Sequence, residues 1–339
     1  MRRKNKNKIL KAFLIFTFIF LGTAYAAFNT NINLSAKGNV KTSNTIETLK
    51  TKVVESGDGL YLDKYTKNKY VYKGTNPDNY IKIDSNLYRI ISIENNALKV
   101  IKKESVLTNV LDKASEQIRY SENAADYCHY DGPYYGCNVW GSKYTMLDKN
   151  ENSVTQMAKE TFSEKLYNLP EKEAYLNTYL NETWYDTLSS KTKEIIAIHS
   201  FNVGPVNGEN EQLTNTVKAE NEYKWKGKVA LASLTDFVNA NSNPLCETVY
   251  ANTKKSDIWT ECQNTNWLYK LVGNGWLITP VSSTSAPHSS WHYVSESALY
   301  SSSSVGEGGL FNTYPVFYIT KNITLKGSGQ KDTPYELIS

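Results

Sequence analysis

Residues 70–102, YVYKGTNPDNYIKIDSNLYRIISIENNALKVIK, decide the fold class. Apolar, β-branched and aromatic residues fill 70–72, 80–83, 87–93 and 97–102, which predicts four strands. Gly74-Thr75-Asn76-Pro77-Asp78 has the chemistry of a turn, and Asn95-Asn96 between two apolar runs predicts a tight hairpin. Downstream the period changes. Residues 171–186 place Tyr175, Tyr179, Leu180 and Trp184 at helical spacing, the core stripe of one helix. A second helix follows, capped by Ser189 or Ser190, with Ile195, Ile196 and His199 on about one face. On that stripe His199 fits a core histidine bonded to backbone better than a catalytic one. Residues 228–233 predict a strand, and Thr235 or Asp236 can cap a short helix running through Ala240. Strands return at 276–279, 291–294, 314–320 and 322–325, separated by Ser- and Gly-rich stretches, while 105–151 is irregular. Strands, two helices, long loops and closing strands, with no internal repeat, predict an α+β body rather than an alternating β/α one.

Working back from that body, residues 27–56 form a polar spacer with β-branched residues at 31–34 and a weak helical pattern at 46–54. Residues 1–26 predict a signal peptide or membrane anchor. Arg2, Arg3, Lys4, Lys6, Lys8 and Lys11 make a cationic start, 12–22 is an apolar run, and Ala24-Tyr25-Ala26 supplies small residues before a cut at Ala27. Thr17, Gly22 and Thr23 interrupt the run, so cleavage fits better than spanning, which takes ~20 apolar residues. The folded body is then 57–339, a single ligand-presenting domain at the cell surface or released outside the cell, touching membrane only through the leader if it stays attached.

The 339 residues carry a net charge of +4, and the six leader cations exceed that whole excess. The rest is slightly acidic, which disfavours a nucleic-acid partner. With 25 Tyr, 10 Phe and 7 Trp the chain has ample apolar area to fold, so disorder is excluded. Export also makes sense of four cysteines. Proximity favours Cys128 with Cys137 and Cys246 with Cys262, each closure contributing ~3 kcal/mol in the chain-entropy account. Neither pair has the close spacing of a structural zinc site.

Several words of this sequence resemble an uncharacterised family of exported proteins of AT-rich Gram-positive bacteria. They are GDGLYLDKYTKNKYVYKGTNPDNYIKIDSNLYRIISIENNALKVIKKES from Gly57, GCNVW at 136–140, SFNVG at 200–204, NPLC at 243–246, WLITP at 276–280 and GSGQKDTPYEL at 327–337. The likeness covers about Gly57 to the C-terminus, and the latter half is similar to the C-type-lectin-like group, which includes formylglycine-generating-enzyme-type folds and retroelement-diversified receptors. It implies a C-type-lectin-like mixed sheet with two helices and long loops, on a surface protein. The family's Arg-Pro-Val near the end is Tyr314-Pro315-Val316 here, which weakens any role for a bracing arginine.

No nucleophile elbow, phosphate loop, HExxH or EF-hand word occurs. His288 and His292 have metal-ligand spacing only on a helix, which their strand-like flanks oppose, and no third ligand is evident. Acid-Pro-Asn and Trp-Asn-Asp words for calcium-dependent sugar binding are missing from the C-terminal half, and formylglycine-type oxidation would need thiols already assigned to bridges. No cofactor or metal is expected. What remains is the Ser/Gly-rich stretch 281–312 with His288, Trp291, His292, Tyr293, Glu296 and Tyr300, the composition of a binding surface. The expected activity is therefore non-enzymatic binding of a surface ligand, protein or glycan, by these loops, with Trp291, Tyr293 and Tyr300 as anchors and His292 and Glu296 as polar contacts. Against it stand the plainer possibility that Trp291 and Tyr293 are half core, a wall-acting enzyme using His and Glu of the same loops, and a passive envelope component.

Overall fold

Strand Asn86–Glu94 is the spine of the molecule. Along one edge it pairs with Ala97–Lys102 through the Asn95-Asn96 hairpin, where both asparagines have positive φ, 48° and 65°. Those angles suit a two-residue hairpin turn, and Asn tolerates them better than most side chains. Along its other edge the first half pairs with Tyr80–Ile83 and the second half with Lys69–Lys73. A register shift between Ile90 and Ser92 accompanies the hand-over from one partner to the next, as at a β-bulge.

The computed structural model describes residues 44–110, 130–131, 134–135, 139–158, 166–206, 212–247, 257–280, 290–294, 301–304, 311–319 and 323–338. The predicted leader, Cys128 and Cys137, and His288, Glu296 and Tyr300 lie outside them. Around the spine grows an eleven-stranded mixed sheet. Ala97–Lys102 pairs with Val316–Ile319, whose far edge is shared by Ile196–Ala197 and Val229–Ala230. On the opposite side Tyr335–Ile338 runs parallel to Tyr80–Ile83 and antiparallel to Thr324–Lys326, which in turn pairs with Asn44–Thr45. A three-stranded sheet of Met146–Asp148, Tyr223–Gly227 and His199–Asn202 joins it, as does a five-stranded one. The latter runs Ser301–Ser304, Ser290–Val294, Gly275–Pro280, Phe311–Thr313 and Leu107–Val110. Helices are few and short. The fold class is α+β, and all described residues belong to one compact unit, Ser43–Ser339.

Burial explains the order. Val100, Ile101, Leu98, Val316, Phe317 and Ile319 are fully enclosed, so the centre of the sheet is covered on both faces. Trp140 meets Trp225 edge-on with centroids 6.0 Å apart, and Phe201 bridges from Trp225 to Tyr318. Gly204, in the SFNVG word, donates its N–H to the Glu220 carbonyl at 2.9 Å. A Cβ there would lie 2.0 Å from the Ala219 carbonyl oxygen, so only glycine lets the chain pass the helix end so closely.

Local details depart from expectation. Residues 44–50, within the stretch read as a spacer, form a strand and a Thr45-capped helix that buries Ile46 and Leu49. The first of the two predicted helices opens as α over Tyr175–Thr178 and widens to a π-helix over Tyr179–Trp184, with Leu180 and Trp184 buried as expected. Ser189 caps the next helix, but that helix stops at Ile195. Ile196 turns into a strand, and His199 belongs to the following strand rather than to a helical stripe. The β-branched pair Ile195-Ile196 favours the change. His199 stacks on Tyr318 at 3.7 Å between centroids, its Nδ1 3.0 Å from the Ser200 carbonyl oxygen. Within the predicted strand 228–233 only Val229–Ala230 pairs. Ser233, not Thr235 or Asp236, caps helix Leu234–Asn239; Asp236 is three residues on and returns a bond to the Ser233 N–H, completing a capping box.

Candidate functional site

The predicted ligand residues that fall within the described chain are Trp291, His292 and Tyr293, all on strand Ser290–Val294. That strand lies between Gly275–Pro280, buried along its whole length, and the sheet's edge strand Ser301–Ser304. Trp291 pairs with Pro280 and Ser303, His292 with Ser302, and Tyr293 with Trp276 and Ser301. Trp291 and Tyr293 thus take alternate positions of one strand.

A second assembly was not foreseen: a row of charges inside the body. Lys69 and Glu94 face each other in register, and Lys99 lies between Ser92 and Tyr318 on the neighbouring strands. Lys69 Nζ is 3.0 Å from Glu94 Oε1 and 4.0 Å from Asp236 Oδ1; Lys99 Nζ is 2.6 Å from Asp236 Oδ2. Ser92 Oγ and Tyr318 OH donate to the two Glu94 oxygens at 2.7 and 2.9 Å. Burial opposes the charge on Lys69, but the Glu94, Asp236 and Asp63 carboxylates outweigh it and hold the ammonium above the ordinary lysine value. Burial likewise works against Glu94 as an anion, yet Lys69 and Lys99 leave it well below the carboxylate range. These pairs enclose a cavity of about 50 Å³, room for a few waters at most and no substrate. The cluster cross-links the sheet to helix Leu234–Asn239.

Glu220, on the wall of the same cavity, differs in sign. Burial pushes its carboxyl above the ordinary glutamate value, the Asp236 charge adds to the rise, and bonds from Thr235 and Thr279 only partly offset them. The Thr279 hydroxyl donates to Glu220 Oε1 at 2.5 Å and accepts from the Leu234 N–H at 2.8 Å. A carboxyl raised in the folded state binds its proton more tightly there. Its contribution to stability is therefore lost as pH climbs from the ordinary glutamate range through the raised value. Glu220→Gln should remove that loss, so the variant's denaturation midpoint should exceed that of the parent at neutral pH and converge on it near pH 4, measured by urea titration across pH.

A third feature is an open cleft of about 390 Å³ lined by Arg89, Tyr80, Trp267, Leu271, Lys103 and Lys270. The Arg89 guanidinium carbon lies 4.1 Å from the Tyr80 ring centre and 4.6 Å from that of Trp267. Burial lowers this guanidinium to about 10. Trp267 is itself fixed by its Nε1–H, which donates to the Tyr72 carbonyl at 2.7 Å.

The signal for the charge row lay in strand 97–102. Ala97, Leu98, Val100 and Ile101 are apolar on both faces, so the lysine between them had to be buried and partnered. Cys246 and Cys262 are bridged, Cα atoms 5.6 Å apart, as sequence proximity suggested. Among the described residues no helix is long and apolar enough to cross a membrane, and no three His, Cys, Asp or Glu side chains gather as metal ligands. Compared with protein families, curated proteins and solved structures, the chain matches none.

Proposed function

We propose that this chain is an exported cell-surface protein that binds a surface ligand, protein or glycan, without chemistry, through the strand and loops of 288–300. The observation that carries this reading is the seating of Trp291, His292 and Tyr293 on a strand hydrogen-bonded to the fully buried strand Gly275–Pro280. Recognition residues work best when a rigid element sets their spacing, and Tyr and Trp give contact area at low entropic cost. The cationic and apolar start of the sequence supports export, and a bridged cysteine pair suits an oxidising compartment. We read the α+β body, with its mixed sheet and few short helices, as C-type-lectin-like.

The test is the double substitution Trp291→Ala and Tyr293→Ala. Fluorescently labelled full chain should bind the envelope of its own bacterium saturably, and the double variant should lose about tenfold or more in affinity, the scale of two aromatic anchors. Its thermal transition should stay within a few degrees of the parent. A collapse of the transition together with the loss of binding would make both residues core and sink the reading.

A further inference from the structure

We propose that the cleft between the 75–80 turn and helix Trp267–Val272 is an oxyanion site, in which Arg89 anchors a phosphate or carboxylate carried on a small apolar body. This goes beyond the surface just described and draws on none of its residues. The argument starts from Arg89, which is 5% exposed although it carries a charge. Buried charges are normally paired. Here Arg89 Nε donates to Asn79 Oδ1 at 2.5 Å and Nη2 to the Pro77 carbonyl at 2.9 Å. Asn79, fully buried, is held by its own bond to the Ile90 carbonyl, so the arginine is fixed in place.

What Arg89 lacks is an anion. Among the described residues no carboxylate is within ion-pair distance of it, and Nη1 makes no hydrogen bond. Asp58 and Asp78, whose charges act on Arg89 from beyond ion-pair distance, are otherwise engaged. Asp58 accepts the N–H groups of Thr75 and Asn76 at 2.7 and 2.8 Å, and Asp78 accepts from Gln330 at 3.5 Å. The Tyr80 and Trp267 rings crowd the guanidinium, with centres 4.1 and 4.6 Å from its carbon, while its unbonded Nη1 belongs to the N–H edge through which arginine binds carboxylate or phosphate. Two further cations line the cleft. Lys270 is exposed, and Lys103, also exposed, has Glu104 at 3.3 Å. Leu271 and Trp267 supply an apolar wall, and about 390 Å³ is the scale of a small-molecule pocket. A buried cation at the base, exposed cations at the rim and an apolar side together select an anion with a hydrophobic substituent.

The experiment is isothermal titration of the full chain with phenyl phosphate and, separately, benzoate at low ionic strength, with phenol as the uncharged control. One-to-one saturable binding of either anion, weakened by salt and absent for phenol, is the expected result, and the better ligand tells phosphate from carboxylate. Arg89→Gln should cut affinity about 10- to 100-fold, the loss of a charge-assisted bond. Should that variant fail to fold, Lys103→Ala with Lys270→Ala touches only exposed side chains and should weaken binding several-fold while reducing its salt dependence. No saturable heat with either anion at millimolar concentration overturns the proposal. So does affinity unchanged in the double lysine variant and in a folded Arg89→Gln.

Discussion

Replacing Lys99 by Met should destabilise the chain by ~3–5 kcal/mol, the usual cost of removing one partner from a buried ion pair. The methylene stem would still fill the space between Phe201 and Tyr318, over whose rings the ammonium now lies at 5.9 and 5.6 Å. Asp236 would keep its capping bond from the Ser233 N–H, at 3.0 Å, and Lys69 at 4.0 Å, but lose its closest countercharge. Urea denaturation of parent and variant measures the difference. A change under 1 kcal/mol would mean that the Lys99–Asp236 pair adds little to the join between the sheet and helix Leu234–Asn239. The pH dependence should change too. Lys69 and Lys99 hold Glu94 below its ordinary value, a contribution present at neutral pH and lost as pH falls through the acid range. Without Lys99 that acid-side loss should be smaller.

Converting Cys246 and Cys262 together to Ala should cost ~3 kcal/mol, the chain-entropy value for a closed loop of this length. The bridge spans a sequence separation of 16 and ties the turn Pro244–Glu247 to helix Asp257–Asn264. Both sulfurs are buried, and Asn241 donates to the Cys262 carbonyl at 2.7 Å, so the bridge sits on a bonded foundation. Comparing unfolding of the oxidised parent with that of the double variant gives the figure, with reductant on the parent as a second route to it. Equal midpoints in all three would show that packing around Asn241 and Asn266 fixes this corner by itself.

Much of the sheet could be read from the chain because its strands obey simple rules. The runs at 70–72, 80–83, 87–93 and 97–102 are strands, and Asn95-Asn96 turns as its chemistry demands. Helix ends were harder. Ser233 and Asp236 share a capping box, and three of the four residues 233–236, Ser233, Thr235 and Asp236, have side chains that can cap. Which one does is decided by the sheet lysine that Asp236 must also meet. Three of the words that drew a family likeness, GCNVW, SFNVG and WLITP, prove to be packing words: Val139, Trp140, Phe201, Val203, Trp276, Leu277 and Ile278 are all buried. They report how the chain is filled rather than what it touches, which is why fold class was legible and activity was not. Of the charge row only the burial of Lys99 could be read locally, from its apolar neighbours, and of the Arg89 cleft nothing could. Arg89 and Trp267 stand far apart in sequence, and only strand register and one indole bond bring them together.

Asn44 pairs with Leu325, and Leu325 with Leu337 on its other side, so the first and last strands stand only two strand spacings, ~10 Å, apart. In topological terms the described body from Asn44 to Ile338 is almost a closed ring, cut at that seam. The tip at Asn95-Asn96, outward-facing and joined by two residues, is an equally natural place for the cut. Between Asn44 and Ile338 the same strand pairings would therefore serve a chain opened at that tip, so the described body is a circuit of pairings rather than a path.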